Sequence, residues 1–267
     1  DQLGISLFIM TGATVTHDTA LDLLERVSNA LLFNIDVERA THLSLIRRSP
    51  RRRRDAFPEH SPNLAYPKND YDNAAMALYW YGRSAQAMPL LQFLAFYQVI
   101  EFYFPIYFNA DLGRRIRSVI KQPSFRAERD VDIAKIVGIM KNKGATNAGE
   151  REQLKATIRE CLSTDDVNEF LSDKERADFF LSKAKGITSC LINPLNRQSE
   201  LTLQVAERVY DIRCKIVHTK SDHEDGEIQL LLPYSQEAEM LGYDIDLVRF
   251  VAQRVLVSAS QRLEITT

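Results

Sequence analysis

The stretch "VAERVYDIRCKIVHTK" spans residues 205–220. Val205, Val209, Ile212, Ile216 and Val217 recur at helical spacing and make one apolar stripe. A helix over 199–218 with that stripe packs one side against a core. Polar and charged residues interrupt the same stretch: Arg213, Cys214, Lys215, His218 and Lys220. Five residues of ideal helix turn about 500°, which leaves the Cα atoms of Arg213 and His218 about 140° apart and roughly 7.5 Å apart along the axis. The two side chains therefore share a site under one of two conditions. Either the helix ends near His218 and its ring swings back, or two copies of the segment contribute to one site.

Working outward, the pattern from about residue 70 is helical throughout. "YDNAAMALYWYGRSAQAM" (71–88) reads as one helix. Pro89 suits the first position of the next, "PLLQFLAFYQVIEFYF" (89–104), which Pro105 kinks or ends. Further helices are expected near 128–142, 149–162 and 173–184. A last one over about 244–262 has Asp244 or Asp246 as its cap. "EIQLLLP" (227–233) reads as a loop or short strand. The fold class is therefore mainly α, with residues 66–267 as a helical domain.

Residues 1–65 have a different texture, that of a small α+β segment. "ISLFIM" (5–10) suits a strand, and Asp18 can cap a helix from Thr19 to about Leu32, with Leu23, Leu24, Val27 and Leu31 on one face. Phe33, Ile35 and Val37 alternate with polar residues, as do Leu43 and Leu45, which suggests two short strands. "RRSPRRRR" (47–54) and a link containing Pro58, Pro62 and Pro67 then mark a boundary. The chain opens on Asp1 rather than Met. Its first 65 residues are consistent with the end of a larger upstream domain that senses a trigger.

Composition narrows the classes. The 267 residues are 45% hydrophobic and 26% charged, enough for one large or two small domains. The net charge of −2 provides no global field for nucleic acid, so any grip on an anion must be local. Three cysteines with no CxxC pair argue against a disulfide framework and fit a reducing, cytoplasmic setting. "LGISLFIM" (3–10) is too short to cross a bilayer, and no basic segment precedes it as in a signal peptide. The aromatic stretch at 89–108 is broken by Gln92, Gln98, Glu101 and Pro105 and reads as core, so no membrane partner is expected.

Each candidate site has a plainer counterpart. The six arginines Arg47, Arg48, Arg51, Arg52, Arg53 and Arg54 can grip phosphates or form a solvated loop. His218, Asp222, His223 and Asp225 lack metal-helix spacing and a distant third cluster, so no metal and no cofactor is expected. Phe93, Phe96, Tyr97, Phe102, Tyr103, Phe104 and Tyr107 can stack on bases, but aromatics at helical spacing more often form core. Tyr97 and Glu101, at i and i+4, share a face and form a supporting polar strip. If buried, Glu101 needs a cation, and an arginine from 208–220 can provide it. There is no Gly-rich phosphate loop, no GxSxG elbow and no HExxH.

That leaves Arg213 and His218. Arg54 and His60 repeat the bare Arg–His pattern outside any apolar helix, so context rather than spacing distinguishes the pair. Imidazole can move protons near neutral pH. A guanidinium stays charged, and its flat fork matches phosphate. A base and a phosphate clamp without a nucleophilic side chain suit RNA cleavage, in which the substrate's own 2′-hydroxyl attacks. DNA lacks that hydroxyl.

"YDIRCKIVHTK" (210–220) resembles the ribonuclease motif of HEPN domains (higher eukaryotes and prokaryotes nucleotide-binding), an Arg followed after four to six residues by His. "PLLQFLAFYQVIEFYFPIY" (89–107) is similar to the aromatic helix of larger HEPN proteins of bacterial defence, including ApeA-like abortive-infection proteins. The resemblance covers about residues 66–262. It implies an all-α fold and a homodimer whose two motifs share one cleft. It implies a metal-independent endoribonuclease that leaves a cyclic phosphate, with Arg213 and His218 catalytic. Lys215, Lys220 and Cys214 would line the RNA, tRNA being one candidate. A toxin-like effector of anti-phage defence with a phage-derived trigger or partner follows from the same resemblance. Cys214 stands where many active members carry a polar residue, often Asn, and a thiol is a poor substitute for an amide. The alternative reading is a catalytically silent HEPN-like dimerisation or nucleic-acid-binding module.

Overall fold

Asp72 caps the helix that follows it: its Oδ1 accepts from the Ala74 and Ala75 amides at 2.8 and 3.2 Å. The computed structural model describes residues 17–41, 67–144, 149–182, 187–196, 198–217, 231–233 and 235–263. The chain divides into two compact units, residues 1–60 and 61–267.

In the first unit the described element is α1 (His17–Arg39), which ends where Ala40 takes a left-handed φ of 47°. It corrects the strand expected over Phe33, Ile35 and Val37, which continue the helix. Val27, Leu31 and Ile35 also stand at i, i+4 spacing, and no Gly or Pro stops the helix before Arg39. Alternation over five residues was too short to separate the two periods. The strands expected at 5–10 and 43–45, and the arginine run, lie outside the described residues.

The second unit contains β1 (Asn69–Asp70), α2 (Asn73–Ser84), α3 (Pro89–Phe102), α4 (Phe104–Ile120), α5 (Asp130–Gly144), α6 (Glu150–Cys161), α7 (Thr164–Phe170), α8 (Lys174–Leu181), α9 (Leu201–Val217), α10 (Gln236–Glu239), α11 (Gly242–Ala259) and β2 (Gln261–Arg262). It is mainly α. The two strands are two residues each and pair antiparallel, Asn69 with Arg262 and Asp70 with Gln261, so the first and last described elements clasp.

The centre is α3, which packs against α2, α6, α9 and α11. Gln92, Phe93, Ala95, Phe96, Tyr97, Val99 and Ile100 are all buried on it. A helix with neighbours on most sides needs only a narrow polar edge, which explains its largely apolar texture, interrupted at the exposed Gln98 and Glu101. The expected single helix over 71–88 stops at Ser84, and a turn brings α3 back along α2. Gly82 permits this approach: a Cβ there would stand 2.9 Å from the Phe96 ring. The Gly82 carbonyl also accepts from Gln92 Nε2 at 3.1 Å.

Pro105 behaves as expected. The helix breaks at Tyr103 and α4 leaves α3 at 43°. Among the described residues no single helix is long and apolar enough to cross a membrane.

Neither Asp244 nor Asp246 caps the last helix. It starts at Gly242 behind Leu241, without a side-chain cap bond. Asp244 is instead fully buried within the first turn of α11, where Arg208 of α9 donates to it through Nε at 2.6 Å and an amino nitrogen at 3.2 Å. Arg208 also donates to the Cys190 carbonyl at 2.7 Å and lies 5.3 and 4.8 Å from the Phe179 and Phe180 ring centres. Every strong donor edge of this buried cation thus meets an acceptor or a π face, which is what makes its burial tolerable.

Candidate functional site: a polar cluster at the end of α9

Three helices bring the cluster together. From α9 come Tyr210, Arg213 and Cys214, from α3 come Tyr97 and Glu101, and from α6 comes Glu150. Val205, Val209 and Ile212 bury the inner side of α9, as its apolar stripe requires, while Val217 at its end is 43% exposed. The inward stripe sets the rotation of the helix. Arg213, next to Ile212, emerges at the edge of the core with its side chain 18% exposed.

Arg213 meets Glu150. One amino nitrogen of the guanidinium lies 2.7 Å from Glu150 Oε2. The other carboxylate oxygen, Oε1, accepts from the Tyr97 hydroxyl at 2.6 Å. The guanidinium also lies 5.8 Å from the centre of the Tyr97 ring. Glu150 is therefore held at both oxygens, by a cation and by a phenol. Burial, then the bond to Glu150, pushes the Tyr97 hydroxyl far above the ordinary tyrosine range, so it remains a donor at any physiological pH.

Glu101 stands one turn beyond Tyr97 and is exposed rather than buried. The cation expected from 208–220 is present as Arg213, but its direct ion pair is with Glu150. Glu101 feels it at longer range. Partial burial and the Glu150 charge raise the Glu101 carboxyl, and Arg213 opposes them. Two carboxylates thus share one guanidinium.

The remaining predicted residues have separate placements. Cys214 is half-buried beside the Tyr210 hydroxyl, whose pKa is raised by burial first and by the thiol second. Lys215 points to its own neighbourhood, donating to the Ile187 carbonyl at 2.8 Å and pairing with Asp211 at 3.1 Å. That contact ties the segment before α9 to the helix, and the Leu231 amide, from beyond α9, donates to the Lys215 carbonyl at 3.3 Å. The described part of α9 runs to Val217. His218 and Lys220 lie outside the described residues, as do Asp222, His223 and Asp225.

Two residues that matter here were missed by sequence reasoning. Glu150 opens α6 behind Gly149, a position typical of first-turn acids, so nothing local sets it apart from Glu152. Its role comes from a contact with residues far along the chain. Arg208 carried no signal either, because an arginine on a helix reads as surface. Arg151 and Lys155, also on α6, pair with Glu207 of α9 and line the same junction.

Among the described residues no group of three metal-ligating side chains comes together, and Cys161, Cys190 and Cys214 are free thiols. Compared with known proteins, the chain matches no family model, no curated relative and no solved structure.

Proposed function

We propose that this protein is a metal-independent endoribonuclease of the HEPN type. The observation that supports the reading best is the position of Arg213. It is a half-buried arginine on a core helix, oriented by Tyr97 and Glu150, five positions before His218 in the sequence. The reading requires the His218 ring to reach the same phosphate, from this chain or from a second copy.

In this reading Arg213 binds the scissile phosphodiester and stabilises the charge that develops on its oxygens. His218 accepts the proton of the 2′-hydroxyl. That oxygen attacks phosphorus, the bond to the 5′-oxygen breaks, and the products are a 2′,3′-cyclic phosphate and a 5′-hydroxyl end. The protein acts as a homodimer in the cytoplasm of a prokaryote, as an effector of anti-phage defence released by a trigger. Its substrate is RNA, with tRNA one candidate.

A second reading is favoured by a specific observation. Arg213 is already paired with Glu150, and Cys214 replaces the expected amide. Both features suit a silent HEPN-like module that dimerises or binds nucleic acid. One experiment separates the two readings: incubation of the protein with tRNA and mixed single-stranded RNA in EDTA, beside the Arg213→Ala, His218→Ala double variant. Cleavage by the wild type alone, with cyclic phosphate ends, is expected. RNA left intact by a stable dimer supports the silent module, and equal cleavage by both proteins removes the motif from the chemistry.

A further inference from the structure

Glu150 occupies the part of Arg213 that a phosphate would use. A guanidinium offers carboxylates and phosphates the same flat edge of N–H donors. At Arg213 one of those donors already faces Glu150 Oε2 at 2.7 Å, and Tyr97 fixes that carboxylate from its other side at 2.6 Å. Glu101 adds a second negative group to the same cation. The neighbouring cations offer no compensation, because Lys215 pairs with Asp211, and Arg151 and Lys155 pair with Glu207. These four cations are matched by four carboxylates, so among the described side chains an incoming phosphodiester would meet no excess of positive charge. The pair is nevertheless close to solvent, with Arg213 and Glu150 side chains 18% and 24% exposed. Glu150 is also the first residue of its helix, so its side chain can swing away without disturbing the core.

From this geometry we infer that Glu150 is an internal stand-in for phosphate, a carboxylate that holds Arg213 in a latent state until nucleic acid or a trigger displaces it. The inference rests on the phosphate-binding role proposed for Arg213. The polar cluster is then a regulatory contact as well as a support. Tyr97 sets its strength by holding Glu150 in place, and Glu101 deepens it by repelling the competing anion.

The test uses the full chain and a fluorescent single-stranded DNA oligonucleotide, which carries the phosphates of RNA but cannot be cleaved by this chemistry. Fluorescence anisotropy is measured over a range of salt. Glu150→Gln is expected to bind about tenfold more tightly, the gain that follows if the competent state is about a tenth of the population. The slope of log K against log salt steepens by about 0.7, the increment for one further phosphate contact on a single strand. The gain disappears in Glu150→Gln, Arg213→Ala. Tyr97→Phe moves affinity in the same direction by less. If folded Glu150→Gln binds no more tightly, or if its gain survives loss of Arg213, the latch is wrong. Should Glu150→Gln fail to fold, Tyr97→Phe decides alone, and unchanged affinity overturns the inference. RNA cleavage in EDTA is scored separately. Tighter binding with no cleavage by any variant overturns the nuclease reading and leaves the latch standing. Cleavage by the wild type without a binding gain in Glu150→Gln does the reverse.

Discussion

Arg208 and Arg213 sit on one helix, and the core treats them oppositely. Arg208 is sealed in, with Asp244, the Cys190 carbonyl and two phenylalanine rings around it. Burial pushes the Asp244 carboxyl up, and Arg208 pulls it back. Removing one partner leaves the other charge buried and unmatched. Asp244→Ala should therefore lower stability by about 3–5 kcal/mol, read from urea denaturation. The joint change Arg208→Met, Asp244→Leu should cost far less, since burying a charge pair gains little over apolar packing. A double variant as unstable as the single one would show that the pair stabilises the fold beyond satisfying itself. At the other arginine, Glu101 supplies a pH test. Its carboxyl is raised, so the folded state prefers the neutral form. The associated stability is complete below the ordinary glutamate value and is lost as pH rises through the raised one. Glu101→Gln should thus raise the Tm at pH 7, and the difference should shrink toward zero as pH falls to about 4. A difference that stays flat with pH would mean that Glu101 does not feel its neighbours.

At the scale of elements, what could be read from the sequence depended on whether the cause was local. Pro89 at a helix start, the break at Pro105 and the apolar stripe on α9 are properties of short windows, and the structure has them. The capping box of α7, Ser163 with Asp166, was equally local and was overlooked. Asp244 was misassigned because first-turn aspartates and N-caps look alike until a partner is known. The partner, Arg208, is on another helix. Glu150 is the same case at the candidate site: Tyr97 and Arg213 were identified, but the carboxylate joining them comes from a third element. Gly82 illustrates the point in packing terms. In an isolated helix, alanine in place of glycine gains about 1 kcal/mol. Here its Cβ would meet the Phe96 ring at 2.9–3.2 Å. The ring is buried among α3 neighbours and has little room to move. Gly82→Ala should therefore destabilise by about 1–3 kcal/mol in thermal or urea unfolding. A stabilised variant would show that the α2–α3 junction can open at little cost.

For the whole molecule, the second unit closes on itself. The Leu263 amide donates to the Lys68 carbonyl at 2.9 Å, beside the two paired residues of β1 and β2. Its central helix α3 is covered by α2, α6, α9 and α11, all elements of the same unit. A unit with its own core and clasped ends is expected to fold alone. The chain of residues 61–267 should then unfold in one cooperative transition, at the midpoint of the corresponding transition in the full protein. The polar cluster belongs entirely to this unit, since Tyr97, Glu101, Glu150 and Arg213 all fall within 61–267. The latch on Arg213 should therefore persist in the shortened chain, with Glu150→Gln tightening oligonucleotide binding by the same factor as in the full protein. A factor that differs between the two lengths would assign residues 1–60 a part in setting the latch, and a shortened chain that fails to fold would show that the second unit's core depends on the first.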